Sequence, residues 1–454
     1  MAGISSEALG KEPVGRLLVK QALPASIGIL VMSLNVLIDT IFVGNWIGSI
    51  AIAAINVVLP VSFFIAALGM AIGIGGASII SRSLGAGNPE KALHTFGNQL
   101  VLTLAITLVL AVAGLGFADV LVPGFGGKGD IFDPAKTYYT IVMYGVPVHA
   151  LCMMGNNVIR AEGKPKFAMV AMMIPSVGNL VLDYVFINLL GYGMQGAAWA
   201  TTGSFFLCFA YMLWYFRSGN SELKIGAGHL TLKAGIVREI GALGFVTLAR
   251  QAVVSVTYLF VNNILFRLGG EASVTVYAII GRMLMFALFP VLGVTQGFLP
   301  IAGFNYGAGK YRRVVESITI AVKYAALLAL LVFAFIMAFP DTIVRVFTTD
   351  AEILERAPGA MRWVFAATPV IALQLIGAAY FQAVGKAVPA LLLTLTRQGF
   401  FFIPLILILP GLYGEKALWM SFPIADVLST LVTGFYLFRE IRLRLKPEIA
   451  AVEE

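Results

Sequence analysis

Apolar residues run through this chain in long stretches that show no strict alternation with polar ones. Short polar connections separate twelve of them: 22–43, 52–80, 96–118, 138–159, 167–190, 195–216, 241–266, 273–300, 316–339, 360–384, 388–410 and 417–438. A helix needs about 20 apolar residues to cross a hydrocarbon core of about 30 Å, and each run supplies them. A transmembrane strand would be about 10 residues long and would alternate lipid-facing with lumen-facing positions. These runs are far longer and apolar on every face. The pattern predicts an all-α integral membrane protein of twelve transmembrane helices.

The order of spans and turns is written twice. Gly85-Ala86-Gly87 after the second run is echoed by Gly307-Ala308-Gly309 after the eighth. Ala161-Glu162-Gly163-Lys164 is echoed at the same offset by Ala383-Val384-Gly385-Lys386, and Ala198-Trp199 by Leu418-Trp419, two residues short of it. Six spans per half is an even number, so both halves enter the membrane in the same sense, as parallel repeats do. The expected organisation is an N-terminal six-helix lobe (1–216), a polar inter-lobe connection (217–240) and a C-terminal six-helix lobe (241–454). The echoed Gly-Ala-Gly turns read as tight connections that need glycine geometry. Neither has the Gly-Lys-Ser/Thr pattern of a phosphate loop, and no strand precedes them.

Composition narrows the class. At 59% hydrophobic and 12% charged, the chain departs from the roughly 25% charge of a soluble domain. The net charge of +8 is distributed unevenly. Lys128, Lys136, Arg267, Arg345, Arg356, Arg362 and Lys416 occupy one set of alternate connections, and Arg250, Arg282 and Arg397 lie inside spans. All other Lys and Arg fall on the opposite side, together with the termini. This positive-inside pattern predicts cytoplasmic termini and accounts for the basic excess without nucleic acid; a basic face toward anionic headgroups is its companion. The polar lead Met1–Lys20 is unlike a short cleavable signal, so the first span is expected to be retained. Cys152 and Cys208 both sit in spans, and His149 stands alone in one, which implies neither a disulfide framework nor a metal cluster.

Of 23 carboxylates, only Asp39, Asp183 and Asp426 lie deep in apolar runs. A charge at the bilayer centre costs about 2.5–3.5 kcal/mol on an insertion scale, so such residues face a cavity or a partner and mark function. Asn179 and Asp183 are four apart, one turn along one helix face. An amide oxygen and a carboxylate at that spacing suit a hard monovalent cation, and they suit equally a protonated Asp183 donating to Asn179. Asp39 ends an apolar span, and Thr201 or Thr202 adds a hydroxyl. The structural alternative is a static network locking helices one, five and six. If Asp39 and Asp183 meet, their protonation is coupled. In the second half Arg250, Arg282 and Arg397 share spans with Asp426. An Arg–Asp426 pair is the structural expectation, and a switch or a contact for an anionic substrate group is the functional one. Met153, Met154, Met172 and Met173 cluster in helices four and five, where thioethers either pack or adapt to varied apolar ligands. Pro24 removes a backbone donor early in the first span, as a bend, a fixed kink or a helix start.

Asp39-Thr40-Ile41-Phe42-Val43-Gly44, Gly85-Ala86-Gly87-Asn88, Arg160-Ala161-Glu162-Gly163-Lys164-Pro165, Asn179 to Asp183 and Gly196-Ala197-Ala198-Trp199-Ala200-Thr201 occur in this order. Together they resemble the multidrug and toxic compound extrusion (MATE) family, over essentially the whole chain. The resemblance implies two six-helix lobes forming a V, and efflux of cationic, amphipathic compounds in exchange for H⁺ or Na⁺. It implies an ion site, possible for Na⁺, at the matches Asp39, Asn179, Asp183 and Thr201, with Tyr139 and Asn157 as cavity-lining matches; Met173, from the methionine cluster, is the expected apolar contact in the substrate cavity. Acidic residues that many relatives carry in helices seven and ten are missing here, so the chain is similar to the branch with first-lobe aspartates alone.

The expected protein is therefore a monomeric efflux antiporter of a prokaryotic plasma membrane, with drugs and the bilayer as partners and no cofactor beyond its coupling ion. A flippase for a lipid-linked precursor is the alternative; the first-lobe aspartates and the twelve spans weigh against it. An intramembrane transferase would want paired acidic motifs holding Mg²⁺, and none is present.

Overall fold

Glycines in the left-handed region punctuate the helices where the sequence repeats itself. The computed structural model describes residues 6–453. Gly87, Gly163, Gly309 and Gly385 have φ of 67°, 75°, 68° and 83°. Each ends a helix with the same pair of backbone bonds: Asn88 N–H to Ser83 O (2.8 Å) with Gly87 N–H to Leu84 O, and likewise Lys310 to Asn305 (2.9 Å), Lys164 to Ile159 (3.2 Å) and Lys386 to Phe381 (2.8 Å). That is the Schellman closure, and only glycine takes its φ without strain. Asn88 then caps the next helix, its Oδ1 accepting from Lys91 N–H at 3.0 Å, with Pro89 at the first helical position. The echoed glycine motifs are helix stops and starts, whereas Ala198-Trp199 and Leu418-Trp419 lie inside helices.

Between these stops the first half forms α1 (Val14–Trp46), α2 (Ser49–Gly85), α3 (Pro89–Gly116), α4 (Phe132–Ala161), α5 (Pro165–Asp183, continued by a π-helical Tyr184–Leu189) and α6 (Gly193–Arg217). The stretch Ala234–Gly307 is broken at Gly269 and Gly270, whose φ/ψ of −143°/15° and 66°/−154° are not helical. It comprises α7 (234–268) and α8 (271–307). There follow α9 (Tyr311–Ala338), α10 (Ala351–Ala383), α11 (Ala387–Tyr413) and α12 (Glu415–Ala451), with π-helical turns at Thr396–Phe402 in α11 and Ile441–Leu445 in α12. Every expected span falls on one of these helices, and no strand occurs among the described residues.

Among the described residues ten helices, with α7–α8 taken as one, are long and apolar enough to cross a membrane. α4 is less apolar, with Tyr138, Tyr139, His149, Asn156 and Asn157, and it is also largely buried by protein, packing on α2, α3, α5 and α6. A helix enclosed by neighbours need not present a lipid-compatible face. The close approach of α2 depends on small residues one turn apart: a Cβ on Gly69 or Gly73 would overlap the Ala150 or Met154 backbone.

The chain forms two compact units, Ile27–Thr247 with Met1–Leu9, and Leu248–Glu454 with Gly10–Ser26. Met1–Ser5 and Glu454, at the ends of the expected lobes, lie outside the described residues. The units are not cut at the expected connection 217–240, because that segment is bonded to the first unit. Asn98 holds Thr231 O (3.0 Å) and Lys233 N–H (2.8 Å), and Glu239 pairs with Arg82 at 2.7 Å. α1 passes from the second unit to the first between Ser26 and Ile27, just beyond Pro24, and α7 passes from the first to the second between Thr247 and Leu248.

Candidate functional site

Helical spacing brings the first lobe's polar residues to one place. Four-residue steps put Asn35 and Asp39 on one face of α1, and Asn179 and Asp183 on one face of α5. The two faces meet: Asn35 Nδ2 donates to Asn179 Oδ1 at 2.9 Å and to Ser176 O at 3.0 Å. Asp39 and Asp183 interact directly, and the Asn179 amide lies beside Asp183. Tyr138 of α4 lies within electrostatic reach of both carboxyls, and its hydroxyl is 3.2 Å from Thr201 Oγ1 of α6. Thr201 in turn donates to Ala197 O at 3.1 Å. Thr202 turns away, to Ile141 O at 3.3 Å.

Asp183 is wholly buried, and neither of its carboxyl oxygens has a hydrogen-bond partner of good geometry. Asn179 Nδ2 is also buried and unpartnered. A buried carboxylate in that condition is costly unless a proton or a cation satisfies it. Asp39, Asn179, Asp183 and Thr201 supply oxygen donors only, the set a hard monovalent cation prefers, and a single proton on the Asp39–Asp183 pair meets the same need. Among the described residues no group of three or more His, Cys, Asp or Glu is placed to hold a metal ion. The site occurs where α5 turns π-helical, immediately after Asp183; such turns recur at functional positions because they re-aim side chains.

Two participants escaped the sequence reading. Asn35 precedes Asp39 by one helical turn, a signal identical to the Asn179–Asp183 spacing. Tyr138 is the neighbour of Tyr139, and successive helical residues point about 100° apart. Tyr139 is buried with its hydroxyl donating to Gly114 O of α3 at 3.1 Å, and Asn157 bonds Met153 O within its own helix at 2.9 Å. Both are satisfied inside the lobe. Met173 is half-buried, and Met172 receives Arg160 Nη2 at its sulfur, 2.9 Å away. Cys152 and Cys208 are buried free thiols.

In the second unit Arg397 Nε donates to Asp426 Oδ1 at 2.6 Å, within the π-helical turn of α11. Arg250, half-buried, and Arg282, exposed, form no ion pair among the described residues, so the four charges do not make one network. Gln374 Nε2, in the same unit, donates to Leu393 O at 3.1 Å.

Two sets of six membrane-length helices built on one repeat, with Asp183 buried beside a half-buried Asp39 in the first, define a multi-pass membrane transporter. The MatE family model matches residues 24–185 and again 247–408, one match for each repeat. The chain belongs to the MatE family. It is 26% identical over 434 residues to the multidrug export protein MepA of Staphylococcus haemolyticus (strain JCSC1435), covering 95% of each chain. It is 24% identical over 435 residues to MepA of Staphylococcus aureus (strain N315), again with 95% of each covered. Among solved structures, an outward-facing multidrug resistance MATE family transporter of the MOP superfamily superposes with a TM-score of 0.90 at 26% identity, over 99% of both chains. A MOP superfamily transporter from Pyrococcus furiosus Vc1, described as having a binding pocket of reversed polarity, superposes with a TM-score of 0.90 at 26% identity, over 99% of both. These relatives are transporters, and this chain is a transporter and not an enzyme.

Proposed function

We propose that the chain is a secondary active multidrug efflux antiporter of a prokaryotic plasma membrane, exporting cationic, amphipathic compounds in exchange for H⁺ or Na⁺. The buried, unpartnered Asp183 beside Asp39 carries this reading. In exchange, the carboxyl pair takes its ion from one side and releases it to the other as the lobes rock. One elementary charge falling through 100 mV yields about 2.3 kcal/mol, enough to sustain a substrate gradient of roughly 50-fold.

Coupling belongs to the first lobe alone in this reading, because the second lobe's membrane carboxylate, Asp426, is already held by Arg397. Asn35 positions Asn179, and Tyr138 positions Thr201. Tyr139 and Asn157 shape α4 from within, and Met173 offers an adaptable apolar contact to substrate. The multidrug export named for the Staphylococcus relatives supports the substrate class.

The test is efflux of a cationic dye from proteoliposomes under an imposed pH gradient or Na⁺ gradient, for wild type and Asp183→Asn. One gradient should drive efflux in wild type and fail in the variant, with dye binding retained. Efflux under neither gradient would overturn the antiporter and favour a lipid flippase. Normal coupling in the variant would displace the site.

A further inference from the structure

The first unit holds a cavity of about 460 Å³ away from the carboxylate site, between α3, α4, α6 and the start of the segment that follows α6. Its walls are Phe96 and Leu100 of α3, Leu151 of α4, and Met212, Leu213 and Phe216 of α6. Gly155 on α4 makes room: a Cβ there would press on Met212 Sδ and approach the Phe216 ring. The volume falls in the ~300–1,000 Å³ range of small-ligand sites. Leu104 and Leu108 follow Leu100 at one-turn steps on the same face of α3, and they and Leu213 of α6 are exposed, as a lipid-facing surface requires.

The mouth has opposite chemistry. Arg217 and Lys224 line it, both are exposed, and no acidic residue is among the lining groups. The neighbouring Glu222 is turned away, its two oxygens accepting from Ser6 N–H (2.7 Å) and Oγ (2.6 Å). Lys224 Nζ rests on the chain at the end of α6, donating to Phe216 O, Arg217 O (3.2 Å) and Ser218 O, so its three donors are engaged while its positive charge stays at the rim. Trp214 is exposed one turn before Arg217, with its ring 5.6 Å from that of Tyr211. Aromatic pairs at a helix end beside basic residues mark the headgroup level of a bilayer. The positive-inside pattern assigns this end to the cytoplasmic leaflet, the anionic one.

We propose that this groove binds one anionic phospholipid of the cytoplasmic leaflet, with an acyl chain along α3, α4 and α6 and its phosphate on Arg217, beside the positive charge of Lys224. Because Leu223, Lys224 and Ile225 form part of the wall, the bound lipid also clamps the post-α6 segment to its lobe.

The test is native mass spectrometry of the full-length protein released from phosphatidylcholine vesicles containing phosphatidylglycerol. Wild type should retain one phosphatidylglycerol in preference to phosphatidylcholine. Arg217→Gln should lower that retention about fivefold, the worth of one arginine toward an anionic surface. Leu213→Trp should lower it by filling the groove, and Arg439→Gln, outside the groove, should leave it unchanged. Size-exclusion and melting profiles establish that the variants are folded, and Leu213→Trp keeps the test independent of charge. Equal retention of the two lipids by wild type would overturn the proposal. So would a preference that survives both groove variants, or one that Arg439→Gln abolishes equally.

Discussion

Asn35 is the residue through which the site is held in register. Its one amide group donates both to Asn179 Oδ1 and to Ser176 O, joining α1 to α5 beside the carboxyl pair. Asn35→Ala removes both bonds, each worth about 1 kcal/mol, so the coupling-ion concentration for half-maximal efflux should rise about fivefold or more. Transport titrated against ion concentration measures it, and an unchanged midpoint would mean that Asn179 is held by other contacts. A second buried carboxyl has a different role. Glu162, in the turn between α4 and α5, accepts from Ser221 Oγ (2.8 Å), Glu222 N–H (2.7 Å), Leu223 N–H (3.1 Å) and Tyr215 OH (2.9 Å). Burial pushes its pKa above the ordinary glutamate value and outweighs those four donors, which pull it down. A carboxyl whose folded pKa is raised binds its proton more tightly when folded. Its stabilising contribution is full below the unfolded value of about 4.5 and falls as pH rises through the folded pKa. Melting followed from pH 4 upward should show that loss in wild type and not in Glu162→Gln. Glu162→Ala, which strands four donors, should cost about 2–4 kcal/mol of stability at any pH.

Among the elements, the segment that follows α6 is the least like its expected description. The sequence shows a polar connection, whereas the structure fastens it to the first unit through Glu162, Asn98 and Glu239. Its polar residues signal exposure to solvent, but their partners stand more than a hundred positions away in sequence for Asn98, and no local pattern records them. Gly97 of α3 leaves space for the segment to pass, since a Cβ there would overlap the His229 carbonyl. Gly97→Val should therefore release it. Limited trypsin digestion should cut at Lys224 and Lys233 much faster in the variant than in wild type, and equal rates would show that the other contacts suffice. The helices themselves were legible because length and apolarity determine a membrane span and a positive-φ glycine determines its end. Asp39, Asn179 and Asp183 were legible as candidates because carboxyl and amide side chains are costly in a bilayer, and Thr201 enters with the family resemblance. Asn35 carries the same amide signal one turn before Asp39 and was overlooked, and Tyr138 was missed because a phenol passes as packing. Tyr139 and Asn157 satisfy themselves on backbone carbonyls, which residue type alone does not reveal.

For the whole molecule, one repeat has diverged into two electrostatic solutions. The first lobe buries Asp183 beside a half-buried Asp39 without a countercharge, and the second buries Asp426 against Arg397. Asp426→Asn should leave the Arg397 charge without its partner and cost about 3–5 kcal/mol of stability, yet leave ion coupling intact in whatever protein folds. Melting and gradient-driven efflux on the same preparation separate the two effects. The most direct measurement is ion release on substrate binding. A cationic dye is titrated into purified protein in weak buffer, with H⁺ followed by a pH indicator and Na⁺ by a selective electrode, for wild type, Asp39→Asn and Asp183→Asn. Antiport at the Asp39–Asp183 site predicts that dye displaces one kind of ion from wild type and none from either variant, although both still bind dye. Equal release from wild type and Asp183→Asn would contradict a coupling site in the first lobe.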